Sequence, residues 1–187
     1  MEDWVAQTPG DFVFSVKASR YLTHVKRLSN LSTGIKRFYA PLEAMTRAGK
    51  LGPVLWQLPE SFHRDDQRLA TALAALPAGR HCFEFRHPSW FCEEVYALLR
   101  EHGVALVIGD DPQRPFQTYE RTADWTFLRF HRGRRGNGGN YSRAEIDTWV
   151  RRIAQWRRRI EVFAYFNNDW QGFAPANARL LKNGLGL

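Results

Sequence analysis

The chain has 187 residues, 44% hydrophobic and 25% charged, which suits one globular domain over residues 1–187 with a buried core. No apolar run reaches the ~18 residues needed to span a bilayer, and Met1-Glu2-Asp3-Trp4 opens the chain without an apolar signal segment, so a cytoplasmic protein with no membrane partner is expected. A formal net charge of +8 favours anionic partners, nucleic acid among them, and says nothing of the fold.

In chain order, residues 12–17 alternate as a strand. Residues 18–30 form a polar loop, and 35–48 read as a helix that Gly49 stops. A short apolar strand over 53–58 ends at Pro59. An amphipathic helix follows over 65–76, with Leu69, Leu73 and Leu76 on one face, then the turn Pro77-Ala78-Gly79. Residues 81–86 make the third strand. Ser89 is placed to cap a helix over 90–102, with Glu93 and Glu94 in its first turns and Gly103 at its end. Residues 104–108 and 125–130 are strands, separated by a proline-containing excursion over 111–123. The Gly/Asn/Arg-rich stretch 132–140 reads as a mobile loop. Ser142 and Glu145 form a capping-box pattern that opens a helix to about residue 159. The last strand covers 160–166, and a final helix starts over 175–181.

This β/α alternation implies a parallel sheet with crossover helices. No internal repeat or low-complexity segment interrupts it. Neither G-x-G-x-x-G nor a P-loop occurs in its strand-to-helix context, which argues against a dinucleotide or Walker-type site. Cys82 and Cys92 lack metal-site spacing and read as thiols in a reducing compartment.

The strands end in polar or ionisable residues just before a turn, and in β/α folds those C-terminal ends carry the site. Side chains alternate along a strand. Phe83 and Phe85 therefore face helices while Cys82, Glu84 and Arg86 face the other way. Leu128 and Phe130 oppose Arg129 and His131. Ser15 shares a face with Lys17, Gln57 opposes Trp56 and Leu58, and Tyr165 shares a face with Asn167. The expected rim is Lys17, Gln57, Glu84, Arg86, Arg129, His131 and Asn167, with Asp110, Asn168 and Asp169 at the same strand ends. Trp90 and Trp170 follow two of these ends; each reads either as a platform for a sugar or base or as core.

Charges on such a rim need partners or ligands. One reading is a structural ion network of Glu84 with the arginines. Cations outnumber the one carboxylate of the inner rim, which favours an anionic small-molecule ligand. In an enzyme of hydrolase, lyase or isomerase type, Glu84 would be a general acid or base and His131 a second one. Lys17 and Arg129 would hold the anion, with Lys17 alternatively forming a Schiff base. Gln57, Arg86, Trp90, Asp110, Arg129, Asn167, Asn168 and Asp169 would bind substrate. No cofactor is expected in that reading. An alternative is a metal-dependent phosphodiester hydrolase drawing ligands from Glu84, His87, Asp110, His131 and Asp169, although no H-x-H or H-E-x-x-H pattern exists. Another is a non-catalytic binder of nucleic acid or metabolite. It would use Arg134-Arg135 and the arginines 151, 152, 157, 158 and 159, which surround the inward face carrying Trp149 and Trp156. His24 lies in a loop and could join either the acid–base or the metal site; a lone His is more often a plain hydrogen-bonding residue.

The same residues carry a resemblance. Phe14-Ser15-Val16-Lys17-Ala18-Ser19-Arg20-Tyr21-Leu22-Thr23-His24 and Leu51-Gly52-Pro53-Val54-Leu55-Trp56-Gln57-Leu58-Pro59 resemble two blocks of the YecE-like family, the domain of unknown function 72 proteins. Glu84-Phe85-Arg86-His87-Pro88-Ser89-Trp90 is similar to its E-F-R-H-x-S-W block, and Arg129-Phe130-His131 with Gly133 to its R-L-H-G block. Tyr165-Phe166-Asn167-Asn168-Asp169 with Ala176-Asn177-Ala178 is similar to its terminal block. The resemblance implies a TIM-type β/α barrel of uncharacterised activity and assigns no residue a role. Arg132 separates His131 from Gly133, which the family pattern has adjacent. The family's opening G-T-S-G-W-like strand and the strand after it have no counterpart here, and a full barrel takes about 250 residues. The expectation is thus an incomplete barrel, six of eight β/α units with the first two strands missing. Its open sheet edges would invite pairing between copies.

Overall fold

The β/α alternation read from the sequence is realised in a computed structural model that describes residues 1–114, 116–136 and 138–187. Pro115, in the excursion over 111–123, and Asn137, in the loop over 132–140, lie outside the described residues. Among the described residues the chain forms six strands, in two compact units, Met1–Val104 and Ala105–Leu187.

The first unit contains α1 (Glu2–Ala6), β1 (Phe14–Lys17), α2 (Leu31–Tyr39), α3 (Glu43–Arg47), β2 (Leu51–Gln57), α4 (Asp66–Ala74), β3 (His81–Glu84) and α5 (Glu93–Glu101). β1 pairs with β2 and β2 with β3, both parallel. β3 is buried throughout and β2 from Gly52 onward, as parallel strands covered on both faces must be. The core is aromatic: Trp56 stacks on Phe83 at 5.9 Å, and Phe85 on Trp90 at 4.7 Å.

Three local expectations change here. The helix expected over 35–48 starts earlier, at Leu31, and is broken. α2 ends at Tyr39, a 3-10 turn covers Ala40–Leu42, and α3 resumes at Glu43. Pro41 has no N–H to continue the ladder, and its ring crowds the preceding turn. The loop over 18–30 contains a π-helical turn, Tyr21–Val25. Ser89 does not cap α5, whose N-cap is Cys92. Instead Pro88–Trp90 forms a 3-10 turn, in which the Ser89 N–H donates to His87 Nδ1 at 3.2 Å and Ser89 Oγ accepts from the Arg64 N–H at 2.9 Å.

The second unit contains β4 (Ala105–Asp110), β5 (Trp125–Phe130), α6 (Arg143–Trp156), β6 (Glu161–Phe166) and α7 (Phe173–Gly184). β4 pairs with β5 and β5 with β6, again parallel. Ser142 and Glu145 form the expected reciprocal cap of α6. Ile146, Trp149 and Ile153 of α6 and Leu181 of α7 pack on Ile108, Leu128 and Phe130. Described residues of the stretch expected as a mobile loop are held by an antiparallel bridge between Arg135 and Asn140, by the Gly133 N–H on the Gly139 carbonyl at 2.8 Å, and by Asn177 Nδ2 on Asn140 Oδ1 at 2.9 Å. No helix among the described residues is long and apolar enough to cross a membrane.

At the N-terminal end of β3, His81 is 4% exposed. Its Nδ1 accepts from Trp56 Nε1 at 3.3 Å, and its Nε2 lies 2.8 Å from the Pro77 carbonyl, to which only an Nε2–H can bond. Both contacts are met by one neutral tautomer. Burial pushes the imidazole below its ordinary 6.5, partly offset by the bond to Pro77. Since the unfolded ring takes up a proton more readily, the stability contributed by the neutral ring is complete above pH 6.5. It is lost as pH falls from there toward the folded value, at up to about 1.4 kcal/mol per pH unit. His81→Gln is expected to remove this part of the acid sensitivity. Thermal midpoints of the two proteins between pH 7 and pH 5 should converge as the wild type loses stability, and parallel curves would rule out His81 as the source.

Candidate functional site

In the first unit the strand ends bring four of the expected residues together. β2 and β3 are in register with Gln57 opposite Glu84, so both side chains leave the same face of neighbouring strands. Lys17 ends β1 and donates from Nζ to Gln57 Oε1 at 3.3 Å. Glu84 is 1% exposed, and Arg86 donates to its Oε1 from both Nε and a terminal nitrogen, each at 3.2 Å. Lys17, Gln57, Glu84 and Arg86 thus form one polar group across three strand ends, while Phe83 and Phe85 occupy the aromatic core.

His24, expected either to join a site or to be a plain hydrogen-bonding residue, belongs to this neighbourhood. Partial burial and the positive charges of Arg20, Lys17 and Arg86 hold its pKa below the ordinary value. Thr23 Oγ1 lies 2.8 Å from its Nδ1. His24 lies in the π-helical turn, a rare geometry found frequently at functional sites and not visible in the polar composition of residues 18–30. Arg27, Leu28 and Asn30 follow at φ of 46°, 65° and 50°. Three non-glycine residues in the left-handed region within four positions mark a strained segment.

Trp90 is not at a ligand surface. It is fully buried, stacked on Phe85, and its Nε1 donates to the Phe62 carbonyl at 2.6 Å. The apolar ring is core, and the one polar atom is satisfied inside it. His87 is committed to Ser89 and stacks on His63 with ring centroids 3.8 Å apart. Among the described residues no three His, Cys, Asp or Glu side chains are grouped to hold a metal ion.

In the second unit, Arg129 is 8% exposed and donates from Nε to Asn167 Oδ1 at 3.1 Å. The Asn167 N–H in turn reaches the Phe130 carbonyl at 2.8 Å. Asp110 at the end of β4 is an anchor. Its carbonyl accepts from the N–H groups of His131 and Arg132 at 3.0 and 3.3 Å and from Tyr141 Oη at 3.2 Å. Its carboxylate accepts from Trp149 Nε1 at 2.7 Å. Burial pushes the Asp110 carboxyl up, against the lowering effect of that hydrogen bond. His131 follows β5 and is half-buried. Asn168 is buried and Asp169 exposed after β6. The arginine-rich helix is partly spent on its own fold. Arg152 lies over the rings of Tyr119 and Trp149 at 3.9 and 4.7 Å, and Arg157 donates to the Leu185 carbonyl at 3.0 Å.

The Glu84–Arg86 pair sets a test of its own. Arg86→Met leaves a buried carboxylate without that guanidinium and is expected to cost about 3 kcal/mol in a urea titration. Adding Glu84→Gln should recover most of the loss; an Arg86→Met single variant as stable as wild type would show that the carboxylate does not depend on Arg86.

The family profile described as "Protein of unknown function DUF72" matches residues 1–187. The UPF0759 protein YunF of Bacillus subtilis (strain 168) is 26% identical over 213 residues, covering 95% of this chain and 74% of YunF. A solved DUF72 family protein from Thermotoga maritima MSB8 is 29% identical with a TM-score of 0.89, over 99% of this chain and 78% of its own. Another, from Enterococcus faecalis V583, shares the fold at 23% identity and a TM-score of 0.85, over 100% of this chain and 83% of its own. The YecE-like blocks seen in the sequence point to the same group, and the chain belongs to the DUF72 family.

Proposed function

We propose that this protein is a small-molecule enzyme on part of a TIM-type β/α barrel, binding an anionic substrate at the C-terminal ends of its strands. The observation that carries this reading is the group Lys17, Gln57, Glu84 and Arg86, with Glu84 almost wholly removed from water beside a guanidinium. A buried carboxyl next to a cation is a group whose proton affinity the protein can tune, which general acid–base chemistry requires. Lys17 and Arg86 supply positive charge for a carboxylate or phosphate. Glu84 acts as the acid or base of the first unit, and His131 is the corresponding group of the second. Arg129, positioned by Asn167, is an anion-binding residue there. Asn168 and Asp169 are binding residues for the uncharged polar part of the substrate, and Asp110 holds that strand end together. A proton transfer of this kind serves a hydrolase, lyase or isomerase.

The test is a turnover screen of the purified chain against carboxylate- and phosphate-bearing metabolites, followed by Glu84→Gln. The isosteric amide keeps the shape and removes the proton-carrying group, so turnover is expected to fall at least about 100-fold while substrate binding persists. His131→Gln should lower turnover in the same sense. If instead the protein binds nucleic acid with a steep salt dependence that Glu84→Gln leaves unchanged, the acid–base reading is wrong and the basic surface is the function.

A further inference from the structure

A cleft of about 430 Å³ in the second unit is lined by Arg132 and Gly138, from the segment after β5, and by Asn167, Asn168, Asp169 and Trp170, which follow β6. We propose that it binds a neutral polyhydroxylated ligand, a monosaccharide or short oligosaccharide, with Trp170 as the stacking surface. The proposal rests on the reading of Asn167, Asn168 and Asp169 as binding residues and on nothing else in the acid–base assignment.

Trp170 is 66% exposed, yet its position is built. Gln171, the next residue, takes φ of 54°, a left-handed conformation that costs a side chain-bearing residue energy. A Cβ added at Gly138 would lie 2.9 Å from Trp170 Cδ1 and 2.8 Å from Phe173 Cε2, so the bare glycine lets the backbone close against the edge of the indole. The ring is buttressed along an edge and left open to solvent over most of its area. Asn168 is 5% exposed; its Nδ2 donates to the Gly139 carbonyl at 3.1 Å. Its Oδ1 is buried without a hydrogen-bond partner among the described residues. Asn168 thus fixes the backbone behind the cleft through Gly139, next to the Gly138 that meets the indole.

The side chains select the ligand class. Arg132 and Asn167 Nδ2 donate and Asp169 accepts, since Asn167 Oδ1 is taken by Arg129 and Asn168 Nδ2 by the Gly139 carbonyl. A sugar hydroxyl is donor and acceptor at once, so adjacent ring hydroxyls can meet these three groups, while the apolar C–H face of the sugar covers the indole. A phosphate or carboxylate only accepts and would face the Asp169 charge. That opposition separates this cleft from the cationic group in the first unit.

The experiment is calorimetric and saturation-transfer titration of the full chain with glucose, galactose, mannose, maltotriose and cellotriose, up to about 20 mM, which reads affinities as weak as about 1 mM. At least one saccharide is expected to bind. Trp170→Ala should weaken it by roughly tenfold or more, and Trp170→Phe by less, because a smaller aromatic face remains. Trp170 is exposed, so both variants are expected to keep the wild-type circular dichroism. Asp169→Ala should weaken the saccharide too. Glu84→Gln should leave saccharide binding unchanged, so failure of the acid–base assignment and failure of this proposal are read separately. Absence of binding by every saccharide in the panel overturns the proposal. So does equal affinity in Trp170→Ala, or displacement of the bound saccharide by inorganic phosphate or AMP.

Discussion

A carboxylate that is 1% exposed cannot keep its charge without a partner, because stripping its water costs several kcal/mol. Arg86 meets that requirement for Glu84 from two residues along the same chain. The pairing works only because β3 and the residues after it keep strict alternation. Phe83 and Phe85 enter the aromatic core with Trp56 and Trp90, which sends Glu84 and Arg86 to the other face. A one-residue slip would drive the carboxylate into that core, so the hydrophobic packing and the ion pair enforce the same register. Gln57, opposite Glu84 in that register, then carries the polar group on to Lys17.

The second unit puts a strand-end carboxylate to a different use. Asp110 gathers the backbone of His131 and Arg132, the Tyr141 hydroxyl and the Trp149 indole, tying the ends of β4 and β5 to α6 and the segment before it. Its burial raises the carboxyl pKa, and the Trp149 bond works against that rise. Glu84 and Asp110 therefore occupy equivalent positions in the β/α pattern but differ in what surrounds them. A polar residue at a strand end is a candidate, and its neighbours decide whether it anchors the fold or remains available for chemistry.

The same distinction runs through the aromatic residues. Trp90 and Trp170 both follow a strand end, and nothing in the spacing separates them. Trp90 lies in a 3-10 turn that presses its ring on Phe85 and satisfies its indole on the Phe62 carbonyl. Trp170 precedes a left-handed Gln171 and stays in solvent. The arginines of α6 show it again. Arg152 is drawn over Tyr119, a residue of the 111–123 excursion whose packing no periodicity announces.

Alternation with period two and the 3.6-residue apolar spacing are local properties, so the strands, their facing, the Ser142–Glu145 cap and the β/α order were readable from the residues alone. The five sequence blocks carried the family. The helix ends at Pro41 and Ser89 depart from the local pattern because a proline or a serine has several local solutions, and contacts distant in sequence, such as Ser89 with Arg64, choose among them. Only tertiary structure decided that Gln57 and Lys17 meet, that His24 joins their neighbourhood, that Asp110 is an anchor and that Trp90 is core. Those outcomes depend on which segments pack together and how much water is excluded between them, and neither quantity is a property of any one stretch of chain.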